Sequence, residues 1–143
     1  MNVAGILKTK GADVITAVPS DSIADISNIL GKNRIGAVLI VDRSGNLRGV
    51  VSERDIVRGL SDCGSDCLAQ TAEDLMTSDL ITTKPSETID NVMSLMTDKR
   101  IRHLPVLDDG RLTGFISIGD VVKSRMDEVE REAAAMRDYI ATG

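Results

Sequence analysis

The sequence predicts an α/β fold: two tandem β-α-β-β-α repeats packed as one pseudo-symmetric module, followed by a long C-terminal helix. Three observations carry this expectation. A pattern of Pro, Gly, Ser and Asp recurs at a nearly constant offset. Short runs of β-branched residues alternate with segments of helical apolar spacing in both copies. Beyond the second copy, an apolar stripe continues in steps of 4 and 3.

The repeat is read directly from matched residues, and such self-similarity constrains a fold strongly. Val14-Ile15-Thr16-Ala17-Val18-Pro19-Ser20-Asp21-Ser22-Ile23 aligns with Leu80-Ile81-Thr82-Thr83-Lys84-Pro85-Ser86-Glu87-Thr88-Ile89 at an offset of 66. Arg34-Ile35 aligns with Arg100-Ile101, and Asp42 with Asp108. One residue is dropped in a turn, after which Gly45-Asn46-Leu47-Arg48-Gly49-Val50-Val51-Ser52 aligns with Gly110-Arg111-Leu112-Thr113-Gly114-Phe115-Ile116-Ser117, and Asp55 with Asp120.

Each copy begins with a short strand, Val14–Val18 or Leu80–Thr83. Pro-Ser-Asp or Pro-Ser-Glu then opens a helix, with Ser20 or Ser86 as the N-cap. Ile23, Ile26 and Leu30 follow the i, i+3, i+7 spacing of a buried helix face, as do Ile89, Val92 and Met96. The next strand, 37–41 or 104–107, is almost continuously apolar, which indicates burial on both faces. A turn of Asp42-Arg43-Ser44-Gly45 or Asp108-Asp109-Gly110 connects it to a second strand, 47–51 or 112–116. Ser52 or Ser117 then opens another helix. The expected organisation is residues 1–62 as the first repeat with an N-terminal helix, 63–77 as a linker that is helical over 72–76, 78–126 as the second repeat, and 127–143 as a helical extension. Along the last helix, running from the second repeat into that extension, Val122, Met126, Val129, Ala133, Met136 and Ile140 form the stripe. It either packs on the protein's own body or contacts a second copy; charged residues fill most other positions.

Composition narrows the function. Of 143 residues 42% are hydrophobic and 27% charged, an ordinary globular balance. One Phe, one Tyr and no Trp leave the core to aliphatic side chains and remove the aromatic platform on which single-stranded nucleic acid stacks. A net charge of −5 disfavours binding to a polyanion. No apolar run approaches the ~20 residues of a membrane span, and Met1–Lys10 lacks a signal-peptide core, so a cytoplasmic location is expected. Cys63 and Cys67 read as reduced thiols in a linker, with a redox switch as the alternative; a zinc site would need about four ligands, and the only His, His103, lies far off in sequence.

Gly49-Val50-Val51-Ser52-Glu53-Arg54-Asp55, Arg102-His103-Leu104-Pro105-Val106 and Gly114-Phe115-Ile116-Ser117-Ile118-Gly119-Asp120, within the doubled unit, resemble the cystathionine-β-synthase (CBS) domain family over about residues 3–126. The tandem pair resembles a stand-alone bacterial Bateman module. The resemblance implies a non-catalytic regulatory sensor that binds AMP first, with ATP, ADP, NADH or S-adenosyl ligands as alternatives, in clefts between the copies. It implies signalling through relative movement of the repeats to a protein target that the sequence does not name, homodimers of CBS pairs, and no required metal. Membrane and nucleic acid are not expected partners.

The residues agree with that ligand class. In Gly-φ-φ-Ser-x-x-Asp (φ apolar), the strand becomes a helix at Ser, and Asp sits three residues on. One ionised carboxylate can accept from two ribose hydroxyls, and a helix N-terminus suits phosphate. Asp55 and Asp120 are candidate ribose acceptors, and Ser52 and Ser117 candidate ribose or phosphate contacts. The same Ser-x-x-Asp is also a capping-box variant that needs no ligand. The resemblance assigns phosphate contacts to Arg102 and His103, followed by Leu104 and Pro105; the first copy has Gly36 and Ala37 at the positions matching the pair. Arg54 precedes Asp55 where Gly119 precedes Asp120, so the two sites are expected to be unequal. Strand backbone at Thr16, Ala17, Val18 and at Thr82, Thr83, Lys84 would line the adenine. No catalytic constellation is present, and the alternative function is a structural or dimerisation protein with vestigial clefts.

Overall fold

A computed structural model of the chain describes residues 1–11 and 13–142. They form two compact units, one built from residues 13–81 and the other from residues 1–11 together with 82–142. In the first unit, β1 (Thr16–Ala17) pairs parallel with β2 (Ala37–Val41), which pairs antiparallel with β3 (Leu47–Ser52). Val38, Leu39 and Ile40 are all fully buried, so both faces of β2 are closed, as its unbroken apolar run requires. Helix α2 (Ile23–Asn33) lays Ile23, Ile26 and Leu30 on the sheet beside Val38, Ile40 and Val51.

The second unit repeats this plan. β4 (His103–Asp108) and β5 (Arg111–Ser117) form an antiparallel hairpin, α5 (Ile89–Lys99) buries Ile89, Val92 and Met96, and α6 runs from Ile118 to Thr142. The bulge between Ile40 and Val41 recurs between Val106 and Leu107. Arg34 and Arg100, the C-caps of α2 and α5, are both left-handed with φ of 54°, a conformation costing roughly 1–2 kcal/mol for a residue with a Cβ. It turns the chain so that the Ile35 and Ile101 amides reach back to the carbonyls of Leu30 and Met96.

Two expectations are corrected. The leading strands are shorter: β1 has two residues, and the second copy has only a single parallel bridge between Thr83 and Val106. Pro19 and Pro85 follow at once and start turns closed by Asp21 N–H to Val18 carbonyl and Glu87 N–H to Lys84 carbonyl. Those turns also displace the N-caps. Ser22 and Thr88, not Ser20 and Ser86, accept from the Asp25 and Asn91 amides. In the segment expected as a linker, 63–77, α3 (Glu53–Cys63) leads into a 3-10 turn (Gly64–Ala69) and then α4 (Ala72–Leu75), the helix expected near 72–76. Cys67 there is a fully buried core residue, and only Cys63 is exposed.

In space the N-terminal helix α1 (Val3–Lys10), which opens the first repeat in chain order, groups with the second. The Val3 and Ala4 amides donate to the carbonyls of Glu87 and Pro85 (both 2.9 Å). α4, which leads into the second repeat, makes the equivalent bonds to the first: the Ala72 and Glu73 amides donate to Asp21 and Pro19 (2.8 and 3.0 Å). Each repeat therefore carries the lead helix of the other. Glycine makes the close approach possible. A Cβ at Gly114 would lie 2.5 Å from Leu7 Cδ2, and one at Gly49 would lie 2.7 Å from Met76 Sδ and 2.9 Å from the Thr77 carbonyl.

The two glycines should differ in tolerance. Gly49→Ala meets backbone and should cost about 1–3 kcal/mol. Gly114→Ala meets the tip of a leucine that can rotate, and should cost under about 1 kcal/mol. Urea melts of the two variants check this; equal losses would show that the Thr77 backbone yields as easily as a side chain.

Candidate functional site

The candidate sites are the two junctions where β3 becomes α3 and β5 becomes α6. Ser52 N-caps α3. Its Oγ accepts from the Asp55 amide (3.3 Å), while its own amide donates to Asp55 Oδ2 (2.8 Å), a closed capping box. The Ser52 hydroxyl also donates to Oδ2 (3.1 Å), and Thr77 Oγ1 reaches Oδ1 at 3.4 Å. At the second junction the Ser117 amide donates to Asp120 Oδ2 (2.9 Å) and the Asp120 amide to Ser117 Oγ (3.3 Å). Both serines and both aspartates thus already serve their own helices. Each carboxylate leaves one oxygen lightly engaged: Asp120 Oδ1 has no hydrogen bond among the described residues, and Asp55 Oδ1 has only the long contact to Thr77.

Helix amides are scarcer than the sequence suggested. The Glu53 and Ile118 amides donate to the carbonyls of Gly36 and Arg102 (2.9 and 2.8 Å). With the third amide taken by serine, Gly119 N–H is the one left unbonded at the start of α6 among the described residues.

Sequence reasoning missed Lys10. The last residue of α1, it donates from Nζ to Asp120 Oδ2 (2.7 Å) and to the Phe115 carbonyl (2.8 Å). No local signal marks it, because its role depends on α1 docking against Gly114, remote in sequence. Thr77 holds the corresponding place at the first junction, where it bridges antiparallel to Val50. Burial pushes the Asp120 pKa up, but the Lys10 bond, the Ser117 amide and the Lys10 charge together outweigh it and hold the carboxyl below its ordinary 3.8.

The remaining candidates fall on strand ends. His103 begins β4 directly opposite Ser117, with its ring 5.5 Å from that of Phe115. Arg102 and Arg54 are exposed, Leu104 and Pro105 buried. Gly36 is half-buried and Ala37 buried. Among the adenine-lining candidates Ala17 and Thr83 are buried, Val18 is half-buried, and Thr16, Thr82 and Lys84 are exposed. Within the first unit, Gly36, Ala37, Ser52 and Asp55 lie together, since β2 pairs Ala37 with Ser52. Within the second, Arg102, His103, Ser117 and Asp120 do the same, joined by Lys10. No group of three or more His, Cys, Asp or Glu among the described residues could hold a metal ion. No helix of the structure is long and apolar enough to cross a membrane.

The family model of the CBS domain matches residues 4–62 and 72–127. The chain belongs to the CBS domain family. Its CBS pair is 31% identical to the mitochondrial CBS domain-containing protein CBSX3 of Arabidopsis thaliana, across 99% of this chain and 72% of that protein. The crystal structure of the CBS-domain protein ATU1752 from Agrobacterium tumefaciens is 40% identical with a TM-score of 0.86, covering 87% of this chain and 99% of that one. The CBS domain pair of protein MJ0100, solved in complex with 5′-methylthioadenosine and S-adenosyl-L-methionine, is 30% identical with a TM-score of 0.79, covering 90% and 98%. In chain order the CBS model takes α1 into its first copy, although α1 packs with the second.

The Asp120–Lys10 pair should make stability depend on pH in a defined direction. A depressed folded-state pKa stabilises the fold above the unfolded carboxyl value, and that contribution is lost as pH falls through the lowered value. Lys10→Met should therefore be less stable than wild type at neutral pH, with the gap narrowing as pH falls below the ordinary carboxyl value. A gap that stays constant in urea melts across that range would assign the loss to packing.

Proposed function

We propose that this CBS pair is a regulatory module that binds an adenine nucleotide at the strand-to-helix junctions and signals through relative movement of its two repeats. The observation that carries the reading is the matched pair of junctions, each with an aspartate that keeps one oxygen available after capping its own helix. A vicinal diol offers two hydroxyl donors, and a carboxylate accepts them with charge-assisted bonds. That a CBS pair 30% identical to this one is solved with two adenosine-containing ligands supports the class. AMP is the first candidate, with ATP, ADP and NADH next, in a cytoplasmic homodimer of CBS pairs.

The two junctions are proposed to be unequal. The second gathers Lys10, Arg102 and His103 near its aspartate, whereas the first has Thr77, Gly36 and Ala37 in those places and Arg54 on its helix. Cations beside a diol acceptor suit a ligand with ribose and phosphate together. Ser52, Ser117 and the Gly119 amide are the neutral donors of the two junctions. Strand backbone at Thr16–Val18 and Thr82–Lys84, with Leu104 and Pro105, would face the base.

A second reading has a specific observation in its favour. Both Ser-x-x-Asp sets close as caps without any ligand, as a structural or dimerisation protein with vestigial clefts requires.

Titration calorimetry with AMP, ATP, NADH and S-adenosyl-L-methionine separates the two. Saturable heat with at least one ligand is expected, and no heat and no thermal shift with any would leave the structural reading standing. Asp120→Asn keeps an oxygen for the Ser117 amide but removes the charge, so it should fold normally and weaken binding at least about tenfold. Arg102→Ala should weaken AMP more than adenosine.

A further inference from the structure

The C-terminal helix α6 has two faces with different duties. Val121 and Ser124 are buried against the second unit, and α5 packs beside them. One position round the helix lies the stripe Val122, Met126, Val129, Ala133, Met136 and Ile140. It does not pack on the protein's own body: Met126 and Met136 are 60% exposed, Ile140 69% and Val129 47%. Six exposed apolar positions over about 27 Å of helix are far from the polar surface a solvated helix presents.

The residues flanking the stripe name its occupant. Spacing of 4-3-4-3-4 makes Val122, Val129 and Met136 one set of core positions and Met126, Ala133 and Ile140 the other. The flanks are Arg125, Glu132 and Tyr139 on one side, and Lys123, Glu130 and Arg137 on the other. In a parallel, in-register pair each residue of the first flank meets the residue five further on in the other helix. Arg125 then faces Glu130, and Glu132 faces Arg137, twice over by symmetry. An antiparallel pair that keeps all six layers would instead set Lys123 against Arg137, Glu130 against Glu130 and Glu132 against Glu132. Like charges at such positions exclude an arrangement.

We propose that a second copy of this chain covers the stripe, with the two α6 helices paired parallel and in register. Ala133 then meets Ala133 at the narrowest layer, and the unbranched Met126 and Met136 fill the layers around it. Arg125 already pairs with Glu128 (3.3 Å) and reaches Asp90 at 3.9 Å, so Glu132–Arg137 is the cleaner of the two charge pairs. The proposal does not rest on the nucleotide reading, and neither fails with the other.

Cross-linking of the full chain tests the geometry. In a Cys63→Ser background, which removes the exposed thiol, Ala133→Cys should form a disulfide-linked dimer on mild oxidation. If a cross-link instead needs a mixture of Val129→Cys and Ala133→Cys proteins, the helices are antiparallel and the proposal is wrong. Charge exchange tests the specificity: Glu132→Arg or Arg137→Glu alone should weaken self-association about five- to tenfold, and the double exchange should restore it. Light scattering that finds wild type monomeric at about 50 μM, or a dimer indifferent to both single changes and to Met136→Glu, overturns it; weak coiled coils associate in the micromolar range.

Discussion

The architecture depends on two lead helices seated against bare backbone. Gly49 and Gly114 leave room on β3 and β5, Met76 and Leu7 fill it, and main-chain bonds at the start of each helix lock the seat. From there the order is fixed by covalent geometry. Once α1 is seated, its last residue, Lys10, comes within reach of Asp120; once α4 is seated, the residues after it bring Thr77 to Asp55. The chemical difference between the junctions follows from a cation at the end of one lead segment and a hydroxyl at the end of the other. Small sheets of three and two strands bury little by themselves, and the borrowed helices close the layers they leave open.

The junction aspartates have a double employment. As the reciprocal partners of the serine N-caps they accept from the serine amides, and the same contacts fix the carboxylate orientation before any ligand arrives. A preorganised acceptor loses less entropy on binding than a mobile one. Capping and recognition are therefore compatible, provided that the ligand uses the oxygen that does not serve the cap. Lys10 adds a constraint at one site only: anything approaching Asp120 meets a neutralised carboxylate with a cation beside it.

Much of this was legible in the sequence where the signal is local. The unbroken apolar run at 37–41, the helix faces Ile23–Ile26–Leu30 and Ile89–Val92–Met96, and the Ser52 cap all stand where residue spacing put them. Ser20 and Ser86 misled because Ser-x-Ser and Ser-x-Thr offer two caps, and a proline turn takes the first residue out of contention. Cys67 was read as part of a polar linker because its neighbours are polar; burial beside Gly59 comes from the fold of α3 back onto the 3-10 turn. The seat of α1 and the role of Lys10 were illegible because they join residues 110 apart, a distance at which no pattern of spacing carries information.

That distance also bears on how the chain is made. α1 is translated about 110 residues before Asp120, with its docking strand made only shortly before that residue. At about 5–20 residues per second, the helix waits on the order of ten seconds with Val3, Ile6 and Leu7 uncovered. Residues 13–81 have no such wait, since α4, their borrowed helix, is made within their own span. One unit is thus complete within a single stretch of chain, whereas the other closes only when two stretches separated by about 70 residues meet.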